Sequence, residues 1–261
     1  MTKPSVLILR APGTNCDQET QFAFERAGAA TERIHINQLI ENPAVANDAQ
    51  ILCLPGGFSY GDDIAAGRIL AGQIRNHLCD LLNDFKTNDK LILGICNGFQ
   101  VLLQTGVLLA DNFGESAQAT LTDNMSGKFE DRWVYLAADN SKCVFLKGIE
   151  KMYLPVAHAE GRFVTKESSL LDSLGASSQL ALRYCRPPAF TTNGKVPYPE
   201  NPNGSDGHIA GLCDDTGRVL GLMPHPERFI DRTHHPRWTR EDLPENGDGL
   251  QIFENAVAYF Q

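Results

Sequence analysis

The stretch Lys90-Leu91-Ile92-Leu93-Gly94-Ile95-Cys96-Asn97-Gly98-Phe99-Gln100 decides the fold. Its first half is a continuous apolar run, which predicts a buried strand. A helix is predicted to begin at about Asn97, so Cys96 stands at a strand-to-helix corner between two glycines. In such a corner the side chain between the glycines projects from the carboxyl edge of the sheet, and the glycines leave room for it.

Cys96 is therefore a candidate nucleophile. The helix that follows would direct its free N–H groups and its positive dipole end at the sulfur, which favours the reactive thiolate over the thiol. The alternative is a buried structural cysteine, because free cysteine is among the most buried residue types and the chain contains seven. Since Gly-x-Cys-x-Gly alone does not distinguish several unrelated families, a second partner is needed.

Composition excludes several classes of protein. The 261 residues are predicted to form a single domain over 1–261, with no apolar run near the roughly 20 residues of a membrane span. The net charge of −9 without a basic stripe argues against nucleic-acid binding. The seven cysteines include no Cys-x-x-Cys pair, which argues against a zinc site and a disulfide framework. The start of the chain has no secretory pattern, so a soluble cytoplasmic protein is expected.

Strands alternate with helices over the first 100 residues. This alternation predicts an α/β fold of the flavodoxin-like kind, an open and mainly parallel sheet with helices on both faces. The ligand site of such a fold lies beyond the carboxyl ends of the strands. The predicted elements here are strands at 5–9, 31–36 and 51–54, a helix from a Thr14-x-x-Asp17 capping pattern to about Ala27, and a helix at about 64–85.

Beyond about Ala119 the helical alternation stops. Short segments with alternating apolar residues predict strands that include antiparallel ones, followed by an amphipathic terminal helix. The segment 186–207 is rich in Pro, Asn and Gly and is predicted to be loop. The predicted strands are 119–122, 132–137, 143–146, 179–184, 208–213 and 218–223, and the helix is 249–260.

A histidine and a carboxylate follow the last predicted strand, in Met223-Pro224-His225-Pro226-Glu227-Arg228. The prolines hold this backbone extended. His225 could take a proton from Cys96 while Glu227 accepts the other imidazole N–H and fixes the tautomer. The alternative is a surface turn in which Glu227 pairs incidentally with Arg228.

A glycine pair, in Pro55-Gly56-Gly57-Phe58, follows the third predicted strand. Backbone without side chains can turn its N–H groups toward a developing oxyanion, and the amide of Asn97 would be the second donor. A plain Gly-Gly turn explains the same residues equally well. The pair is not a GxGxxG fingerprint, so no dinucleotide site is predicted.

Taken together, these motifs resemble those of the triad-type, class I glutamine amidotransferases. Within that superfamily the sequence is similar to the amidotransferase subunits of phosphoribosylformylglycinamidine synthases, which act in purine biosynthesis. The motifs that carry the narrower resemblance are Ala11-Pro-Gly-Thr-Asn-Cys-Asp17, Pro55-Gly-Gly-Phe-Ser-Tyr-Gly-Asp62, Cys96-Asn-Gly-Phe-Gln100, Ser126-Gly-Lys-Phe-Glu130, Pro155-Val-Ala-His-Ala-Glu-Gly161, Asn201-Pro-Asn-Gly-Ser205 and Met223-Pro-His-Pro-Glu-Arg228.

The resemblance implies a role for each matching residue. A second His-x-Glu, His158 and Glu160, is not assigned to the triad, and the alternative for His158 is a position facing the partner. The implied roles are Cys96 as nucleophile, His225 as base and acid, Glu227 as the residue that orients it, Gly57 and Asn97 as oxyanion amides, and Gln100, Asn124, Ser126 and Phe129 as the glutamine pocket.

The expected function is hydrolysis of L-glutamine through a Cys96 γ-glutamyl thioester. The resemblance implies delivery of the ammonia to a synthetase subunit, which uses ATP and Mg²⁺ to convert formylglycinamide ribonucleotide to formylglycinamidine ribonucleotide. It also allows a small accessory subunit, and it implies no cofactor or metal in this chain and no nucleic-acid or membrane partner. The alternatives are a stand-alone γ-glutamyl hydrolase of the same fold and a non-catalytic scaffold subunit.

Overall fold

The computed structural model of the protein describes residues 2–110, 117–138, 141–187 and 194–261, and within them it contains eleven β-strands. Nine strands form one mixed sheet, and the other two form a separate antiparallel ribbon. The strands are β1 (Ser5–Arg10), β2 (Ala30–His35), β3 (Ile51–Leu54), β4 (Leu91–Ile95), β5 (Ala119–Thr122), β6 (Glu130–Ala137), β7 (Lys151–His158), β8 (Arg162–Thr165), β9 (Leu180–Tyr184), β10 (Ile209–Cys213) and β11 (Val219–Leu222).

The large sheet has the strand order β2-β1-β3-β4-β11-β10-β9-β6-β7. The first five strands in this order are parallel to their neighbours, whereas antiparallel pairs join β11 to β10, β10 to β9, β9 to β6 and β6 to β7. Strands β5 and β8 form the ribbon. The predicted α/β fold, with a parallel sheet and an additional antiparallel portion, is confirmed.

The described ranges contain seven α-helices, six of them between strands and the seventh after the last strand. The predicted helix 64–85 is wrong in its extent, because it begins later and is divided into two helices. Leu78 separates them with φ −127°, outside the helical region, and its side chain is buried. The change of direction lets both helices bury an apolar face, which sequence periodicity alone cannot reveal. The helices are α1 (Asp17–Arg26), α2 (Ile36–Glu41), α3 (Arg68–His77), α4 (Cys79–Thr87), α5 (Asn97–Thr105), α6 (Ser169–Ala176) and α7 (Leu250–Ala258).

Two local predictions differ from the structure. The predicted strand 143–146 is instead a 3-10 turn, Val144–Leu146. The predicted capping pattern is absent, because the Thr14 hydroxyl accepts a hydrogen bond from the Ala11 N–H at 3.0 Å, and Cys16 precedes the first residue of α1. The sequence predictions also omit β7, β8, α2 and α6. Part of the predicted loop, 188–193, lies outside the described residues.

The centre of the sheet is the apolar core. Every residue of β3, β4 and β11 is buried, as expected for parallel strands covered on both faces. Full burial of one such aliphatic side chain contributes about 1.5–3 kcal/mol. The described residues include all seven cysteines; none of them forms a disulfide, and all except Cys79 are buried. Within the described ranges, no helix combines the length and the apolar character needed to cross a membrane.

Candidate active site

Cys96 occupies a sharp corner between β4 and α5. Its φ of 51° and ψ of −104° lie in a region that L-residues rarely adopt. Both flanking glycines are required by close contacts. A Cβ on Gly94 would lie 2.5 Å from Leu102 Cδ1, and a Cβ on Gly98 would overlap the carbonyl oxygen of Leu54. The predicted strand-turn-helix corner is confirmed, and it places the Cys96 side chain at the carboxyl edge of the sheet.

Strand pairing brings the histidine motif to this corner. Ile95 pairs with Leu222 in the parallel β4–β11 ladder, and the Cys96 N–H donates to the Leu222 carbonyl at 2.7 Å. The chain therefore leaves β11 beside Cys96, three residues before His225. The His225 N–H donates to the Pro155 carbonyl of β7 at 2.8 Å, which fixes the backbone of the histidine from the opposite side.

His225 and Glu227 form a buried pair. Nδ1 of His225 lies 2.6 Å from Oε1 of Glu227, and each residue is only 2% exposed. A carboxylate accepts hydrogen bonds, so Nδ1 is the protonated nitrogen. Nε2 is buried and makes no hydrogen bond of regular geometry with the described residues, although the Cys96 and Cys16 thiols lie close enough to raise the pKa of the ring. This arrangement leaves a fixed imidazole with one nitrogen available to exchange a proton.

The surroundings of His225 favour its charged form. Burial by itself would lower the pKa of this imidazole, but the negative charges of Glu227 and of a Cys96 thiolate outweigh it. The pKa of His225 is therefore raised well above its ordinary value. An imidazolium beside a thiolate is the arrangement expected of an activated cysteine nucleophile.

Cys96 and His225 line one small cavity of about 190 Å³. The Cys96 thiol also lies 3.9 Å from the Ala157 carbonyl oxygen, which it can use as an acceptor. Three larger cavities, of about 720, 480 and 440 Å³, contain neither residue in their walls. The other residues that line the small cavity are Asn15, Cys16, Gly57, Phe58, Phe129, Ala157 and Arg228.

A family model described as "CobB/CobQ-like glutamine amidotransferase domain" matches residues 3–260. The chain belongs to the glutamine amidotransferase family. The family resemblance predicted from the sequence motifs is confirmed.

The amidotransferase has close relatives along its whole length. It is 49% identical to phosphoribosylformylglycinamidine synthase subunit PurQ of Dehalococcoides mccartyi, over 99% of this chain and 98% of the relative. It is 44% identical to the subunit of the same name from Methanococcus maripaludis, over 98% and 97%. A solved chain from the "Structure of PurLQS from Thermotoga maritima" superposes with a TM-score of 0.74 at 30% identity, covering all of both chains.

The predicted oxyanion donors of the amidotransferase come from two segments, the loop after β3 and the start of α5. Gly57 is part of the cavity wall and forms a bridge with Thr14. Asn97 is the first residue of α5, and its side chain is buried in structural hydrogen bonds. Its Oδ1 accepts from the Ser59 N–H at 3.2 Å, and its Nδ2 donates to Gln100 Oε1 at 2.9 Å. Only the backbone amide of Asn97 is thus left for a substrate.

Of the predicted glutamine-pocket residues, only Phe129 lines the cavity, and its side chain is 51% exposed. Gln100 is buried and donates to the Glu160 carbonyl at 2.5 Å. Asn124 is buried and donates to the carbonyls of Lys128 and His158. Ser126 donates to Glu130 at 2.7 Å and lines a different cavity. Gln100 and Asn124 are thus held in hydrogen bonds within the protein and Ser126 lies at another cavity, so none of these three side chains lines the cavity of Cys96.

The second His-x-Glu is engaged elsewhere. His158 is 3% exposed and its Nδ1 lies 3.1 Å from Asn124 Oδ1, while Glu160 accepts from the Ala66 N–H at 3.1 Å. Burial and the nearby charge of His225 lower the pKa of His158 to about 3. The alternative position for His158, facing a partner, is wrong, because the side chain is enclosed.

Two residues of this amidotransferase site were missed by sequence reasoning. Cys16 lies beside His225, and Arg228 donates to the Cys16 sulfur at 3.2 Å. The alternative of an incidental Glu227–Arg228 pair is wrong, since Arg228 Nε instead donates to Glu19 at 3.0 Å. Both residues belong to motifs that were recognised, but the sequence gives no sign that those motifs meet in space.

Cys16, His225 and Glu227 present ligand atoms within 4.8 Å of one another, so they could hold a metal ion. The Arg228 guanidinium opposes a cation at this position, because it already contacts the Cys16 sulfur. Burial raises the pKa of the Cys16 thiol to about 11, so it remains protonated near neutrality. The predicted absence of a metal in this chain stays a prediction.

Proposed function

We propose that this amidotransferase hydrolyses L-glutamine to glutamate and ammonia, with Cys96 as nucleophile. The observation that carries the proposal is the His225–Glu227 pair, whose free Nε2 lies in the same cavity as a cysteine on a strained corner. A nucleophile, a base and a group that orients the base constitute the minimum for acyl transfer.

In the first half-reaction, the Cys96 thiolate attacks the carboxamide carbon of glutamine. The backbone amides of Gly57 and Asn97 donate to the oxygen that becomes negative in the tetrahedral intermediate. The imidazolium of His225 then gives its Nε2 proton to the departing nitrogen. The carbon–nitrogen bond breaks, ammonia leaves, and a γ-glutamyl thioester remains on Cys96.

In the second half-reaction, water replaces ammonia. Neutral His225 removes a proton from the water as it attacks the thioester carbon. The carbon–sulfur bond then breaks, which releases glutamate and returns Cys96 to the thiolate beside an imidazolium. Glu227 keeps its hydrogen bond to Nδ1 in both half-reactions, so the mobile proton is carried by Nε2 each time.

We also infer the destination of the ammonia. The relatives that share up to 49% identity over nearly the full length are named as subunits of phosphoribosylformylglycinamidine synthase. Their names support a partner subunit that forms phosphoribosylformylglycinamidine. We infer that this synthetase subunit binds ATP and Mg²⁺ and aminates formylglycinamide ribonucleotide in purine (IMP) biosynthesis. Ammonia free in neutral water is mostly ammonium and not nucleophilic, so the transfer requires an enclosed route. Such a complex belongs in the cytoplasm, with no cofactor in this chain.

One experiment tests the chemistry and the pathway together. Glutamate release is measured for the purified chain with and without the synthetase and its nucleotides, and the ¹⁵N-amide of glutamine is followed into formylglycinamidine ribonucleotide. We expect a weak glutaminase that the partner strengthens by ordering the Gly56–Gly57 loop. Full activity of the chain alone would favour a stand-alone hydrolase. No activity under any condition would favour a scaffold, and label in another acceptor would refute the pathway.

A further inference from the structure

Arg228 is the charged wall residue that the proposed mechanism does not use. The cavity wall is otherwise made of neutral groups, apart from the ionisable Cys96, His225 and Cys16. Arginine carries a permanent positive charge. Burial would lower the pKa of Arg228, but Cys16, Glu19 and Glu227 more than offset it, so the pKa is raised. A buried carboxylate must be paired with a cation or with several N–H donors, and glutamine brings such a carboxylate.

The guanidinium of Arg228 is held in one orientation. Nε donates to Glu19 Oε1 at 3.0 Å, and Nη2 donates to Cys16 Sγ at 3.2 Å. Cys16 is itself fixed, since its N–H donates to the Gly56 carbonyl at 3.2 Å. Arg228 is 34% exposed, and its Nη1 has no hydrogen-bond partner among the described residues. A preformed fork with unused N–H groups is suited to a carboxylate.

The spacing between Arg228 and the reacting groups suits the length of one bound glutamine molecule. Cys16 Sγ, which Arg228 contacts at 3.2 Å, lies within 4.8 Å of a ring nitrogen of His225. In an extended glutamine the carboxamide and carboxylate carbons are about 5 Å apart. A glutamine whose carboxamide lies at Cys96 and His225 can therefore extend its other end to the guanidinium within the same 190 Å³ cavity.

We propose that Arg228 determines specificity for glutamine by binding its α-carboxylate, with Glu19 and Cys16 holding the guanidinium in place. This inference rests on the proposed function, because it names how the substrate of that site is selected. Arg228 binds the end of the substrate that does not react, so its contribution should be the same in the ground state and the transition state. Uniform binding of this kind affects KM more than kcat.

The test compares two substrates. Glutamine and 4-aminobutanamide carry the same carboxamide, but the second has hydrogen in place of the α-carboxylate. In the full chain with its synthetase, Arg228→Met should lower kcat/KM for glutamine by about 100-fold, mostly through KM. The same variant should change kcat/KM for 4-aminobutanamide less than about 3-fold. Arg228→Lys, which retains the charge but not the fork, should fall between wild type and Arg228→Met.

A matched control separates this effect from general loss of charge. Arg232→Met removes an exposed arginine that is not part of the cavity wall, and it should leave the ratio of the two substrates unchanged. If Arg228→Met reduces both substrates equally, or reduces neither, the proposal is overturned. A poorly folded variant would also reduce the turnover of both substrates. An unchanged ratio is therefore checked by measuring glutamine binding directly.

This binding measurement does not depend on turnover. Glutamine is titrated calorimetrically into Cys96→Ala and into Cys96→Ala/Arg228→Met, neither of which can form the thioester. We expect the Arg228 change to weaken binding by about 100-fold. Equal affinities would refute the role of Arg228 while leaving the proposed glutaminase intact. An inactive wild-type complex would refute the proposed function, and the binding comparison would still decide the assignment of Arg228.

Discussion

Oε1 of Glu227 lies 2.6 Å from Nδ1 of His225 in a place from which water is almost completely excluded. In this setting the carboxylate has two effects on the imidazole. It fixes which nitrogen carries the proton, and it stabilises the imidazolium that burial would otherwise disfavour. Both effects act through His225 alone, so the pair should behave as one unit.

The first prediction is that the losses at this pair are not additive. His225→Ala should lower kcat for glutamate release by at least about 10³-fold, and Glu227→Gln by a smaller factor. The double variant should be hardly worse than His225→Ala, because Glu227 has nothing left to orient. Steady-state glutamate release is measured for the wild type, the two single variants, the double variant and His158→Ala. Fully additive losses, or a larger loss for His158→Ala, would show that another pair acts with Cys96.

A second prediction separates Cys96 from the remaining thiols. Cys96→Ala should abolish glutamate release while changing the free energy of unfolding by less than about 1 kcal/mol, since it removes only one sulfur atom. Denaturant unfolding and turnover are measured on the same preparations. Cys79→Ala is the control because Cys79 is exposed and lies outside the cavity. Glutamate release by Cys96→Ala that exceeds the release in buffer without protein would contradict the assignment of Cys96 as nucleophile.

The third prediction concerns the packing of the imidazole on Gly56. A Cβ at this position would lie 2.8 Å from Cε1 of His225 and 3.0 Å from the Cys16 sulfur. Gly56→Ala should therefore displace the ring and reduce kcat/KM by about 100-fold. Gly72→Ala is the matched change within α3, where no atom lies within 4 Å of the added Cβ. It should retain activity and raise stability by about 0.5–1 kcal/mol. Equal activities of the two variants would contradict the packing argument.

The fourth prediction is a pH dependence of stability that comes from His158. Its pKa is about 3 in the folded protein against an ordinary value of 6.5, so below pH 6.5 the unfolded chain binds a proton that the folded chain does not. The free energy of unfolding should therefore fall as the pH drops from 6.5 toward 3. By pH 5 the loss from this residue is about 2 kcal/mol.

Urea unfolding at pH 7.5 and pH 5.0 measures this effect, with His158→Gln as the comparison. Glutamine does not titrate, so the variant should lose less stability between the two pH values than the wild type. His35, which is partly exposed at the end of β2, provides the control substitution His35→Gln. An identical pH dependence in wild type and His158→Gln would show that the ring is not held neutral.

The parallel half of the fold could be predicted because its signals are local. The apolar run before Cys96, the glycines around it and the short strands at 5–9 and 51–54 each specify a structure within a few residues. The strand β7 was missed for the opposite reason. It ends at His158 and contains Pro155, and its pairing with β6 is made with residues about 20 positions away. A proline in an edge strand lowers the local signal without preventing the pairing.

Within the site, residue types and order indicated Cys96, His225 and Glu227 as partners, and the structure brings them together. Sequence could not place Arg228 beside Cys16, because that contact joins residues 212 positions apart. Nor could it distinguish a side chain that lines a cavity from one that supports its wall, as for Gln100. That distinction depends on the direction of a buried side chain, which follows from packing with β7 and the chain beyond it.

The position of β11 has a consequence for how the protein becomes active during its synthesis. This strand lies in the middle of the sheet, between β4 and β10, although its residues 219–222 come late in the chain. Pairing between segments so far apart in sequence slows folding. A nascent chain that has not yet emerged as far as β11 lacks the Leu222 carbonyl that holds the Cys96 N–H, and it has no histidine beside the thiol. Glutamine consumption can therefore begin only after the ribosome has delivered the last strand to the centre of the sheet.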